Sequence, residues 1–200
     1  PAGAIMDAPV EQVLPVLATY PSIKIWCAGC STGEEAYSLA ILLHEEGLLD
    51  RSIVYATDIN AQALREAGAG VYPLARLRGF TENHRRAGGR TSLSDYYHSA
   101  GASNESAILD SALRRKITFS DHSLATDNVF SEVHLVTCRN VLIYFDHALQ
   151  TRALRLFAEA LIGRGFLGML DPVVGDAGDG IASFDFDRLS DEATTRLAEL

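Results

Sequence analysis

Residues 23–35 read IKIWCAGCSTGEE, a short apolar β-run followed by a glycine-containing turn and two acidic residues. Directly beyond them, Ala36, Leu39, Ala40 and Leu43 repeat at the i, i+3, i+4, i+7 spacing of an amphipathic helix. The stretch therefore predicts a strand, a tight loop and a helix in direct succession.

Four further β-runs follow along the chain, and segments of helical period separate them. The β-runs cover residues 53–57, 117–119, 133–137 and 165–170. One helix is predicted to begin at Asn60 and to end near residues 68–70, and another lies between an Asp146 N-cap and a Gly163 stop. Strands that alternate with amphipathic helices indicate an α/β fold, doubly wound around a mainly parallel sheet with helices on both faces.

Two segments fit this alternation less well. Residues 73–116 contain no clear strand but nearly half of the basic side chains, so both a solvated helical crossover and a partner-docking insertion remain open. The tail, residues 171–200, is acidic, and the span 175–180 is predicted to connect two final strands as a hairpin.

The composition describes an acidic globular domain. The 200 residues suffice for one or one and a half typical domains, with 48% apolar and 22% charged residues. The net charge of −9 argues against binding of nucleic acid or of an anionic membrane surface. No apolar run reaches the roughly 20 residues of a membrane span, so membrane insertion is not expected. Three cysteines, and residues 1–8 without a signal-peptide pattern, favour a cytoplasmic location.

Three short motifs overlap at the strand–helix junction and predict different chemistries. Cys27 and Cys30 form a W-C-x-x-C string of the thioredoxin redox type. Residues 29–33 satisfy G-x-S-x-G, the nucleophile elbow of α/β-hydrolases, with Ser31 as the nucleophile. The same glycines are typical of a loop that lets a nucleotide-like cofactor approach the backbone closely.

The context favours the cofactor loop. A redox dithiol would open the helix directly, yet residues 31–33 intervene before the helical period begins. A hydrolase would need an acid and then a histidine after Ser31, but the last histidine, His147, follows no convincing acid-bearing loop. A capping box, Thr32 with Glu35 or Ser31 with Glu34, is predicted to begin the helix.

The acidic residues around the loop indicate the charge of the cofactor. Asp58 ends the second β-run, where a carboxylate can accept both ribose hydroxyls of a nucleoside, and Asn60 is available to cap the next helix instead. Glu34 and Glu35 would repel the phosphates of a dinucleotide. S-adenosylmethionine (SAM), which carries a sulfonium and an ammonium group, suits them better, so the loop favours methyl transfer over hydride transfer.

Three strings of the chain resemble motifs of the CheR-type chemoreceptor glutamate methyltransferases. They are residues 25–38, residues 56–59 with 70–72, and residues 138–145, which read CRNVLIYF. The resemblance runs from about residue 9 to residue 170. It implies a class I SAM-dependent methyltransferase fold, a catalytic domain over residues 1–200 in which residues 73–116 form a small inserted subdomain.

The same resemblance implies an activity and a set of cofactor contacts. The enzyme would form glutamate methyl esters on the cytoplasmic helices of chemoreceptors and release S-adenosylhomocysteine (SAH). Glu35 would hold the amino group of SAM and Asp58 its ribose, with Gly29 in the adjoining loop. Ser123 and Leu124 fall beside the adenine, where the family usually has Asn-Leu.

The CRNVLIYF string supplies the residues implied in catalysis. Arg139 and Asn140 would line the methyl-donor side, and Arg139 and Tyr144 the substrate side. A glutamate carboxylate, with a reference pKa of about 4.3, is already ionised and needs no general base, while one arginine can orient it bidentately. Tyr144 lies in an apolar string and could instead be a core aromatic residue.

The chain also departs from the family pattern. Family members usually carry a helical domain ahead of the catalytic one, which is expected to be absent here, with residues 1–20 as the remnant of a linker helix. After Leu170 the family has Gly-His-Ser-Glu, whereas residues 171–174 read DPVV. A non-catalytic module that binds SAM or SAH or docks a receptor, and a methyltransferase for another carboxylate or amine, stay open as alternatives.

Overall fold

Five parallel strands form the central sheet of the computed structural model, which describes residues 9–77, 90–100 and 105–169. Numbered along the chain, they are β1 (Ile23–Ala28), β2 (Ser52–Asp58), β6 (Ile117–Asp121), β7 (Val133–Cys138) and β8 (Leu161–Met169). Their order is β6-β2-β1-β7-β8, so the chain winds first to one side of β1 and then to the other. This order confirms the predicted parallel sheet.

Helices cover both faces of the sheet, as the alternation predicts. They are α1 (Pro9–Leu17), α2 (Glu34–Glu45), α3 (Ala61–Ala69), α4 (Ser111–Arg114) and α5 (His147–Ala160). On one face, Ile25 and Cys27 pack in a core with α1 and α2, and on the other, Trp26 packs with Phe157 of α5. Because β1 is central and buried on both faces, it holds the following loop on a rigid base.

The helix ends confirm two predicted caps and correct a third. The Asn60 side chain accepts from the amides of Gln62 and Ala63 at the start of α3, and Asp146 accepts from the amide of Leu149 at the start of α5. Gly163, however, does not stop α5. That helix ends at Ala160 and β8 begins at once, because Leu161 already pairs with Val133, so Gly163 lies in the irregular part of β8 before Phe166.

A small antiparallel sheet takes two of its three strands from residues 73–116, for which no clear strand was expected, so that expectation is wrong. Its strands are β3 (Val71–Pro73), β4 (Tyr97–Ala100) and β5 (Ser106–Leu109), in the order β3-β5-β4. Each has only three or four residues, and β4 is polar, so alternation cannot be read from the sequence. β5 pairs with its neighbour β4 and also with β3, which is distant along the chain.

The described basic side chains of this segment bind groups of the chain itself. Arg90 pairs with Glu46 at 2.7 Å, and Arg114 donates to the carbonyl oxygen of Ala69 at 3.1 Å. Lys116 donates to the carbonyl oxygen of Asp50. These contacts tie this segment to the elements around the central sheet, so the positive charge of these described residues has a structural role.

Some expectations concern residues outside the described ranges. The hairpin predicted in the tail lies there, as do residues 1–8 of the expected linker remnant and the DPVV string. Within the described ranges, no helix is long and apolar enough to span a membrane, and no cluster of side chains suits a metal ion.

Candidate functional site

A cavity of about 880 Å³ opens at the carboxyl edge of the central sheet, between the loops that follow β1 and β7. This is the point where the strand order reverses, at which open α/β sheets bind their ligands. Every predicted site residue lines it, namely Gly29, Glu35, Asp58, Ser123, Leu124, Arg139, Asn140 and Tyr144. The residues that the family resemblance implies therefore share one cavity.

The loop after β1 is fixed by backbone hydrogen bonds to the neighbouring strand. The amides of Gly29 and Cys30 both donate to the carbonyl oxygen of Thr57, at 2.8 and 2.9 Å. The predicted capping boxes do not form, because Gly33, at φ 90°, occupies the N-cap position of α2. The Thr32 hydroxyl instead donates to the Glu34 carboxylate at 2.6 Å. A turn built on left-handed residues, rather than a side-chain cap, begins this helix.

Gly29 has no room for a side chain, which gives a test of the loop. Its φ is +72°, and a Cβ would lie 2.2 Å from Cγ2 of Val141, on the loop that follows β7. We expect Gly29→Ala to lower the free energy of unfolding by about 1–3 kcal/mol, measured by urea denaturation.

Gly68→Ala provides the matched control. Gly68 lies inside α3, and a Cβ there meets nothing within 4 Å. Because alanine favours helix over glycine, Gly68→Ala should raise the free energy of unfolding by up to about 1 kcal/mol. Equal stability of Gly29→Ala and the native chain would contradict the described loop geometry.

Asp58 joins the two loops at the carboxyl ends of β1 and β2. Its Oδ2 accepts from the amide of Ser31 at 2.8 Å, and its Oδ1 accepts from the amide of Asn60 at 2.8 Å. Asn60 is the N-cap of α3, so the carboxylate of Asp58 is not needed to cap that helix, as the sequence predicted. Each of its oxygens keeps lone-pair capacity for a further donor.

Glu35 presents a buried carboxylate to the same cavity. Its Oε1 is buried and accepts no hydrogen bond from the described residues. Burial raises the pKa of Glu35, and the nearby Thr137 hydroxyl and the positive charge of Arg139 only partly offset the rise. An acceptor oxygen that is buried without a donor is costly, so this site is suited to a ligand that brings an N–H donor or a positive charge.

Arg139 and Tyr144 come from the segment that follows β7. Burial lowers the pKa of Arg139, and the negative charge of Glu35 opposes that effect. Asn140, at φ 55°, turns the chain into a 3₁₀ turn, Leu142–Tyr144. The Tyr144 side chain is 80% exposed at the cavity wall, so it is not a core aromatic residue.

Ser123 and Leu124 lie in the loop that follows β6. The amide of Ser123 donates to Oδ2 of Asp127 at 2.9 Å, and Leu124 is buried. Sequence reasoning assigned no role to His122, which also lines the cavity and is buried against the rings of Trp26 and Phe130.

Two further contributors to the site were not singled out from the sequence. Ile59 lines the cavity with 77% of its surface exposed, and the available signal in the sequence was its position directly after the strand-end Asp58. Arg76 pairs with Glu34 at 3.1 Å, and no local pattern marks that contact, since it depends on how the small sheet folds back.

The thiol and hydrolase interpretations lose support from the local chemistry. Burial raises the pKa of Cys30 to about 12 and that of Cys27 well above its usual value, the opposite of a reactive thiol. Both are free cysteines. Ser31 lies beside carboxylates, and its amide binds Asp58, which is unlike the paired base of a hydrolytic nucleophile.

The lining has the charge expected for a cationic ligand. Glu34, Glu35 and Asp58 bring three carboxylates, of which Glu34 is paired with Arg76, and Arg139 brings one guanidinium. A phosphate-bearing dinucleotide would be repelled by this set, whereas a ligand with ammonium and sulfonium groups would be attracted. The residues present therefore fit SAM.

Comparisons with known proteins agree with this assignment. The family model described as CheR methyltransferase, SAM binding domain, matches residues 4–176. A Pseudomonas putida protein that carries the name methyltransferase Cher3 is 59% identical over 157 residues, which cover 78% of this chain and 56% of that protein. A chemotaxis protein methyltransferase of Listeria monocytogenes is 32% identical over 181 residues, covering 88% of this chain and 65% of that protein.

The length of these relatives exceeds that of the chain. The chain spans about half to two thirds of the length of these two curated relatives.

Among solved structures, the chain is similar to a TehB-like SAM-dependent methyltransferase from Corynebacterium glutamicum. The two share 15% identity, the match covers 93% of this chain and 71% of that chain, and the TM-score is 0.47. The family match, together with the strand order, confirms the predicted class I methyltransferase fold.

Proposed function

Because the chain belongs to the CheR methyltransferase family, we propose that it transfers a methyl group from SAM to glutamate carboxylates on the cytoplasmic helices of a chemoreceptor. The products are a glutamate methyl ester and SAH. The observation that carries this proposal is one cavity lined by three groups: Glu35, whose buried Oε1 accepts no hydrogen bond from the described residues, the carboxylate of Asp58, and Arg139. This reaction takes place in the cytoplasm, where such helices lie.

Glu35 and Asp58 hold the cofactor in this proposal. The ionised Glu35 carboxylate binds the amino group, and the Asp58 carboxylate accepts the ribose hydroxyls while it keeps the amides of Ser31 and Asn60. Ser123 and Leu124 lie at the adenine, with Leu124 as the apolar surface. When bound, SAM supplies a methyl group on a positively charged sulfur.

Arg139 and Tyr144 act on the acceptor. The planar guanidinium of Arg139 binds the incoming carboxylate and offsets its repulsion from the acidic cavity. Because that carboxylate is ionised near neutral pH, one of its oxygens forms the new C–O bond without transfer of a proton. The protein's contribution is therefore alignment of the reacting groups and exclusion of water. Tyr144 contacts the acceptor from the rim, and Asn140 lines the methyl-donor side.

Methylation of receptor fragments tests this proposal. The chain is incubated with SAM and cytoplasmic chemoreceptor fragments, and peptides are analysed by mass spectrometry for the gain of a methyl group on glutamate that alkali removes. Fragments in which the modified glutamates are replaced by glutamine serve as the control. If SAH binds but no acceptor gains a base-labile methyl group, the chain is a binding module and the proposal is wrong.

The pH dependence of SAH affinity tests the role of Glu35. The ammonium group needs the ionised carboxylate, so affinity is complete above the pKa of Glu35 and is lost as the pH falls through it. Because burial raises this pKa, the loss should begin at a higher pH than an ordinary glutamate would give. Dissociation constants from calorimetry between neutral and acid pH measure it.

Two variants complete the pH experiment. Glu35→Gln should weaken SAH binding at neutral pH by roughly tenfold and remove most of the acid-side loss. Glu66→Gln, on the exposed face of α3, should leave both quantities unchanged. An acid-side loss of the same size in Glu35→Gln as in the native chain would show that another group titrates.

A further inference from the structure

Gln150 holds together the segment that carries Tyr144. This residue lies on the first turns of α5, and its side-chain Nε2 donates to two backbone carbonyl oxygens, those of Leu142 and Phe145, both at 3.1 Å. Both partners can only accept, so the atom that faces them must be the amide nitrogen. One side chain thus bridges the beginning and the end of the turn.

The end of the turn that carries Tyr144 needs a further support, because the exposed side chains there do not hold it against the core. Tyr144 and Ile143 are 80% and 46% exposed, so packing does little to fix either of them. Among the described residues, two backbone hydrogen bonds of the 3₁₀ type cross the turn, from Tyr144 to Val141 at 3.1 Å and from Phe145 to Leu142 at 3.0 Å, and the Leu142 side chain is buried. Burial of Leu142 fixes the beginning of the turn, so the position of Tyr144 at its exposed end depends on the backbone and on the attachment of Phe145 to α5 through Gln150.

The helix α5, which carries Gln150, is itself held firmly against the sheet. The helix α5 is capped by Asp146 and buries Ala153, Leu156, Phe157 and Ala160 against the sheet. Gln150 is the link from this anchored helix to a turn at the cavity wall.

We infer that Gln150 is a positioning residue, which sets the place of Tyr144 relative to Arg139 and thereby the alignment of the acceptor carboxylate. This inference rests on the proposed function, because it concerns the acceptor side of the same cavity. Gln150 itself does not line the cavity, and the cofactor residues Glu35 and Asp58 lie on other elements. Its loss should therefore separate catalysis from cofactor binding.

The variant Gln150→Met tests the inference, since methionine has a similar length and no donor. We expect kcat for methyl ester formation to fall on the order of tenfold, because small misplacements of reacting groups are costly. The affinity for SAH should stay within about twofold, a difference well below that of a lost hydrogen bond. Gln150→Glu, which is ionised at neutral pH and faces two carbonyl oxygens, should lower kcat at least as far. Gln62→Met, the same change on an exposed helix position, is the control and should leave kcat unchanged.

Amide hydrogen exchange supplies a readout that does not depend on activity. In Gln150→Met, the amides of Tyr144 and Phe145 should exchange faster, while those in the core of α5 and the urea midpoint change little. Unchanged exchange at both amides would overturn the inference, as would an unchanged kcat or a loss of SAH affinity that parallels the loss of kcat. If the native chain methylates no acceptor, the proposed function fails, and the exchange experiment still decides whether Gln150 holds the turn.

Discussion

Asp58→Ala is expected to weaken SAH binding at least tenfold, equivalent to about 1.4 kcal/mol or more. The substitution removes the carboxylate proposed to accept the ribose hydroxyls. It also leaves the amides of Ser31 and Asn60 without their acceptors, so the loop after β1 loses one of its ties. Equilibrium dialysis with radiolabelled SAH measures the effect, and urea denaturation verifies that the variant is folded.

Two further aspartate variants show what the carboxylate contributes. Asp58→Asn keeps one acceptor oxygen and should give an intermediate affinity, because its amide group cannot accept from both backbone amides. Asp50→Ala removes an exposed aspartate from the 3₁₀ turn Leu49–Arg51, away from the cavity, and should bind as the native chain does. A folded Asp58→Ala with native affinity would exclude Asp58 from the cofactor site.

Arg139→Ala is expected to reduce methyl ester formation about a hundredfold at saturating SAM. The variant loses the guanidinium that orients the acceptor carboxylate. It also removes the positive charge that restrains the raised pKa of Glu35, so that pKa should rise further. Repeating the assay at several pH values above neutral, which favour the ionised form of Glu35, separates this effect from the effect on catalysis. The readout is base-labile tritium transferred from methyl-labelled SAM to the receptor fragments.

Two arginine variants distinguish charge from geometry. Arg139→Lys keeps the charge but not the planar fork, so it should recover only part of the lost activity. Arg155→Ala, on the exposed face of α5, should retain full activity. Undiminished label in Arg139→Ala would refute the assigned role of Arg139.

The sequence was most informative where one strand and its loop carry several signals together. The buried run of β1, the glycines after it and the helical period of α2 predict a strand, loop and helix, and all three form. Asp58 was identified because it ends an apolar strand, whereas Arg139, which follows β7, was implied by the family resemblance; parallel strands bring their carboxyl ends to one edge. Because β1 and β7 are neighbouring parallel strands, the segments that follow them are expected to bring Glu35 and Arg139 close together.

Other features depend on contacts that no local pattern contains. Gly163 resembled a helix stop, but pairing of Leu161 with Val133 begins β8 earlier. Thr32 resembled a helix cap, but the left-handed Gly33 takes that position and leaves the Thr32 hydroxyl to bind Glu34. The small sheet was missed because each of its strands is too short to show a period. In each case a partner distant in sequence, or a backbone conformation, outweighed the local preference.

Calorimetric titration of the native chain with SAH tests the central claim, that the cavity between β1 and β7 is a SAM site, most directly. We predict saturable binding of one SAH for each chain, weakened by Asp58→Ala and by Glu35→Gln and unaffected by Asp50→Ala. No detectable heat at several temperatures and pH values above neutral, with the chain folded, would contradict the claim.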